Sequence, residues 1–76
     1  MKIKEMKIGQ KARVVRYSTG DANYRQKLLR MGLVKNAEFE LIRIAPLGDP
    51  VEIKLKDFNL SLRKDEADAL EIEVIQ

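Results

Sequence analysis

Neither cysteine nor histidine occurs among the 76 residues of this chain, and tryptophan is missing as well. These absences exclude disulfides, thiolate nucleophiles, Cys/His zinc sites and histidine general bases by inventory. Any chemistry would rest on carboxylates, lysines and hydroxyls. Without disulfides, so small a chain must hold together by close apolar packing; this suits a reducing compartment, and a cytoplasmic location is expected. Long apolar runs are lacking too. Met1-Lys2-Ile3-Lys4 is positively charged, but Glu5, Met6 and Lys7 follow at once, so the apolar stretch of a signal peptide is absent. No segment approaches the roughly 20 apolar residues of a membrane-spanning helix, and no membrane insertion is expected. The length suits one domain, residues 1–76, which buries only about 60% of the surface its unfolded form exposes.

The net charge of +3 conceals an asymmetry. Residues 1–35 carry ten of the fifteen basic side chains against two acids, Glu5 and Asp21, whereas the remainder carries five bases against ten acids. Two readings stand open. Either the molecule is dipolar and offers one basic surface to an acidic partner, or strands from both halves interleave and the charges mix.

The first strand is expected over Lys11–Tyr17, where Ala12, Val14, Val15 and Tyr17 sit among Arg13 and Arg16 after the turn signal Gly9-Gln10. Ahead of it, Ile3, Met6 and Ile8 can pack as a loop or one helical turn. Ser18-Thr19-Gly20-Asp21 is a turn and capping cluster, with Asp21 placed to accept hydrogen bonds from the free amides of a helix that follows. Tyr24, Leu28 and Met31 share one face of that helix, Gln26 and Arg30 point away, and Gly32 is its stop. From Ala37 to Ala45 the apolar phase slips between Leu41 and Ile42, which predicts a bulge or sharp coil. Pro46-Leu47-Gly48-Asp49-Pro50 makes a turn with positive φ at Gly48. Val51, Ile53 and Leu55 then alternate with charged residues, Lys56-Asp57 turns the chain, and Phe58, Leu60 and Leu62 occupy the core phase of the next strand. About one helical turn over Lys64–Ala69 precedes a last strand with Leu70, Ile72 and Val74 inward. These expectations describe a mostly β fold: a small, strongly bent barrel of about five strands, with one short helix after the first strand and a helical turn before the last. Side chains fill such a barrel, so function must lie on its surface.

The run Tyr24-Arg25-Gln26-Lys27-Leu28-Leu29-Arg30-Met31-Gly32-Leu33, followed at short distance by Ala45-Pro46-Leu47-Gly48-Asp49-Pro50-Val51, resembles the FeoA family, the small cytosolic component of bacterial ferrous iron transport. Motif order, spacing and length agree across essentially the whole chain. Leu60-Ser61-Leu62-Arg63-Lys64 and the closing Leu70–Val74 strand also fit. The resemblance implies an SH3-like barrel and a partner, FeoB, a membrane transporter with a cytosolic GTPase domain, which the small protein would assist or regulate. One departure is the Lys56-Asp57 turn, where many relatives place glycine.

The candidate contact residues are Tyr24, Arg25, Lys27, Leu29 and Arg30 on the helix and Leu47, Gly48 and Asp49 on the proline-flanked turn. Leu29 lies off the Tyr24-Leu28-Met31 stripe among cations, which suits the centre of a protein interface; it can equally widen the buried stripe or stand as a lone surface leucine. Leu47 is either a preorganised contact or merely part of a turn that its prolines and glycine explain. For metal, only oxygen ligands exist. Glu38 with Glu40, Glu71 with Glu73, and Asp65, Glu66 and Asp68 read as solvated acids, so no metal site beyond weak, unselective binding is expected. Nucleic-acid binding is the competing class, opposed by the scarcity of rings and by the expected burial of Phe39 and Phe58. No phosphate loop or nucleophile–base pair is present, so no catalytic residue, enzymatic activity or cofactor is expected. Lys54 and Lys56 would discourage edge pairing, and a monomer is favoured.

Overall fold

A computed structural model describes residues 1–18 and 20–76; Thr19, part of the expected capping cluster, lies outside the described residues. A 3-10 turn (Ile3–Glu5) leads into β1 (Lys11–Tyr17), α1 (Ala22–Arg30), β2 (Glu38–Ile44), β3 (Val51–Lys54), β4 (Asn59–Leu62), α2 (Lys64–Asp68) and β5 (Leu70–Val74). The strands form one antiparallel sheet in the order β4-β3-β2-β1-β5. This is the small five-stranded barrel, with one helix after β1 and a shorter one before β5, that the alternating pattern predicts, and the SH3-like arrangement that the resemblance implies.

Period-two alternation sets the inner face. Ala12 and Val14 of β1, Phe39 and Leu41 of β2, Val51 and Ile53 of β3, and Leu70 and Ile72 of β5 are buried together with Ile3, Leu28, Leu33 and Leu62. Each fully buried leucine or isoleucine contributes about 1.5–3 kcal/mol relative to exposure. The phase slip in β2 is a bulge, since its register against β3 shifts between Leu41 and Arg43. A matching shift against β5 falls between Val14 and Arg16 of β1; the adjacent apolar pair Val14-Val15 is its sequence trace. Paired bulges coil both strands and bend the sheet over the core. β4 and β5 stand at opposite ends of the sheet without pairing, and α2 packs against both of them and against the 3-10 turn, with Ala67 buried in the gap.

The strand order decides between the two charge readings. β1, from the basic half, lies between β2 and β5, both from the acidic half. Arg13 Nη2 is 2.6 Å from Glu73 Oε2, and Lys2 Nζ is 2.9 Å from Glu71 Oε2. The charges interleave, and the dipolar alternative falls.

Three side chains depart from their expected places. Ile8, grouped with the buried Ile3 and Met6, is 59% exposed, because the chain turns through Gly9 at positive φ and carries it outward. Phe58, expected in the core phase with Leu60 and Leu62, is 48% exposed. The β3–β4 turn closes through the Leu55 amide donating to the Phe58 carbonyl at 2.8 Å, so Phe58 sits at the hairpin end beyond the sealed core. Glu66, read with its neighbours as a solvated acid, is 3% exposed.

Candidate functional site

α1 begins where the Asp21 carboxylate accepts from the Asn23 amide at 2.9 Å and the Tyr24 amide at 3.4 Å. Those amides would otherwise lack partners in the first turn. Lys27 and Arg30 in the last turn complement the helix dipole. The helix stops at Gly32, whose φ of +93° is open to glycine, and the space a Cβ would enter there lies 3.3 Å from Phe58 Cζ. Leu28 is the one buried residue of α1, with Tyr24 and Met31 half-buried beside it. The opposite face shows Arg25, Gln26, Leu29 and Arg30 to solvent, Leu29 at 40% exposure. Leu29 is thus a partly covered residue at the margin of the stripe, not one of its buried members.

Polar ties complete the attachment of α1. Lys27 Nζ lies 2.6 Å from Glu66 Oε2 of α2, and the Arg63 amide donates to the same carboxylate at 2.8 Å. Burial alone would raise the Glu66 carboxyl, but the hydrogen bonds from Lys27 and the Arg63 amide outweigh it and hold the group below the ordinary carboxylate range. After the helix, the Tyr17 hydroxyl donates to the Leu33 carbonyl, tying the segment to β1. Burial raises both Tyr17 and Tyr24, so the two phenols stay protonated at neutral pH.

The turn between β2 and β3 is held by its backbone. The Gly48 amide donates to the Ala45 carbonyl at 2.7 Å and the Ala45 amide to the Pro50 carbonyl at 3.1 Å, with Gly48 at φ +82° as the turn requires. Leu47 projects from it at 91% exposure. The Asp49 carboxylate accepts from the Lys64 amide at 3.2 Å.

α2 is therefore the shared neighbour of the two candidate segments, meeting Lys27 through Glu66 and Asp49 through Lys64. Among the described residues, no hydrogen bond or ion pair joins α1 directly to the Leu47 turn. Leu29, Arg25 and Arg30 form one surface and Leu47 a second, while Lys27 and Tyr24 also hold the helix in place. Sequence reasoning missed Glu66 as the tie between helices. Its signal was its position three residues beyond Arg63, where an acid reaches back to the amide that precedes the helix. No group of three or more Asp or Glu among the described residues has an arrangement that could hold a metal ion.

A small SH3-like barrel with a helix inserted after its first strand is the class these features define. The chain matches the FeoA domain over residues 1–74 and belongs to that family. A Porphyromonas gingivalis fusion of Fe(2+) transport protein A with the Fe(2+) transporter FeoB is 36% identical over 75 residues, covering 99% of this chain and 9% of the fusion. The solution structure of iron(II) transport protein A from Clostridium thermocellum superimposes with a TM-score of 0.87 at 40% identity, over 99% of this chain and 46% of that one. A FeoA-like protein from Clostridium acetobutylicum gives a TM-score of 0.87 at 33% identity, over 100% of this chain and 87% of its own. The chain thus spans under a tenth of the fusion protein and about half of the C. thermocellum chain.

Proposed function

We propose that this chain is an accessory protein of ferrous iron uptake that acts as a non-enzymatic protein-interaction module on the cytosolic GTPase region of a FeoB transporter. The observation that carries the reading is the P. gingivalis fusion, in which a relative of nearly the whole chain is covalently joined to FeoB. A fusion holds two modules at high effective concentration, the arrangement expected when they work on each other. Such a role places the chain on the cytoplasmic side. No helix among the described residues is long and apolar enough to cross a membrane.

The contact surface is the outer face of α1, with Leu29 between the Arg25 and Arg30 cations, and the Leu47 turn is a second contact. An apolar centre ringed by arginine suits an interface core with a polar rim. The turn's closed backbone presents Leu47 with little left to order on binding. Co-purification of the chain with the soluble cytosolic domain of a FeoB tests this. The native chain is expected to be retained, Leu29→Asp lost and Leu47→Ala weakened, with both variants folded; retention of Leu29→Asp equal to native would remove α1 from the interface.

A further inference from the structure

The β3–β4 hairpin delivers an aromatic ring to the end of α1. Phe58 is exposed, yet it rests on the helix stop: the space a Cβ would enter at Gly32 lies 3.3 Å from Phe58 Cζ and 3.7 Å from Leu55 Cδ2. The glycine that ends α1 thus also leaves room for the ring. Leu29, exposed as well, lies one helical turn earlier, and the Gly32 amide donates to its carbonyl at 3.0 Å. Leu29 and Phe58 therefore both sit at the C-terminal end of α1, and Val34, 46% exposed, follows Gly32 by two residues. The charge around these apolar groups is almost all of one sign. No acid occurs between Ala22 and Lys35, and Arg25, Arg30 and Lys35 are exposed and in no ion pair among the described residues. Lys56, two residues before the ring, is in the same state, against the single acid Asp57. Across the strands cations meet acids, as Arg13 meets Glu73, whereas these four cations have no such partner.

We propose that Phe58 is the aromatic anchor of the α1 docking surface and that its occupant is an acidic, amphipathic segment of the FeoB cytosolic region, an inference that rests on the partner reading above. The segment's apolar side chains cover the Phe58 ring and Leu29, and its carboxylates meet Arg25, Arg30, Lys35 and Lys56. Charge complementarity sets the acidic character of the occupant. The apolar centre requires that it carry apolar side chains as well. An aromatic ring suits such a centre, since two dihedrals place a large apolar surface and the backbone of Gly32 already supports it. A single-stranded nucleic acid would also meet the four cations, but one ring is no run of stacking platforms and Leu29 offers it nothing.

Titrating the soluble cytosolic domain of a FeoB into the native chain, followed by NMR, reads the anchor without any substitution. The ring signals of Phe58 and the methyls of Leu29 should shift, while the ring of Phe39, buried in the core, should stay in place. Phe58→Ala should weaken binding by about tenfold or more. The double reversal Lys35→Glu with Lys56→Glu should weaken it by a similar factor and lessen the loss of affinity that added salt causes. All three positions are exposed, so the variants are expected to fold, and the shifts of the native chain stand whether or not they do. Binding that Leu29→Asp abolishes, but that leaves the Phe58 ring unmoved and survives Phe58→Ala, would overturn this inference and keep α1 as the contact. Absence of binding by the native chain would overturn the partner reading with it. Affinity unchanged or raised by the double reversal would overturn the acidic occupant. So would a Phe58 ring that moves for a single-stranded oligonucleotide and not for the FeoB domain.

Discussion

The two helices of this domain differ in the opposite sense to their lengths. α1 has nine residues and buries one, Leu28, whereas α2 has five and buries two, Glu66 and Ala67. The short helix is a plug between the sheet's unpaired ends, and the long one is a surface element pinned at a few points. Helix length reflects local propensity and capping; attachment reflects which side chains reach the core. A helix held by one leucine, two half-buried neighbours and one ion pair keeps most of its face free.

Removing the apolar pin should break this contrast most severely. Leu28→Ala is expected to lower stability by about 2–5 kcal/mol in urea denaturation and to speed amide exchange in α1 before α2. Next in size is Gly32→Ala, which forces a Cβ into a left-handed backbone and against Phe58, at about 1–3 kcal/mol by the same measurement. Asp21→Ala removes the cap and should cost about 1 kcal/mol, with faster exchange at Asn23 and Tyr24 and none at the α2 amides.

Acid should act on the polar ties. Glu71, which accepts hydrogen bonds from the terminal ammonium of Met1 and is paired with Lys2, is held at about 2, below its ordinary 4.5. Glu66 is lowered as well. Both carboxyls bind protons less readily in the folded state, so their contribution is complete above the unfolded value near 4.5 and disappears as pH falls through the folded one. Stability measured from pH 5 to pH 2 should therefore decline, and Glu71→Gln should flatten the lower part of the curve. The smallest expected effect on stability is that of Leu29→Asp, at most about 1 kcal/mol, because Leu29 is 40% exposed and lies off the buried stripe of α1.

Much of this architecture was readable where local chemistry and global packing agree. Asp21, Gly32 and Gly48 are positions at which few residues satisfy the backbone, so they mark the helix start, the helix stop and the turn. The Leu41-Ile42 slip announces a bulge or sharp coil because period-two alternation cannot run through it, and the register shift against β3 makes it a bulge. Phe58 was misplaced because alternation assigns a face but not where along the strand the core ends. Glu66 looked like one more surface acid because its partner, Lys27, is remote in sequence and only the fold brings them together. Lys27 itself, counted among the contact residues, has its charge engaged by that carboxylate. The proposed contact surface rests on a pattern readable in the sequence, an apolar residue among cations on a helix, while the role of α2 between the two segments depends on tertiary geometry.

The free face of α1 is the proposed docking surface for FeoB. Calorimetric titration of the native chain and of Leu29→Asp into the cytosolic domain of a FeoB, loaded in turn with GDP and with a non-hydrolysable GTP analogue, tests it most directly. The native chain is expected to bind, more tightly in one nucleotide state than in the other, and the folded variant to lose that binding. Absence of binding in both states, or equal binding by native and variant chains, would contradict it.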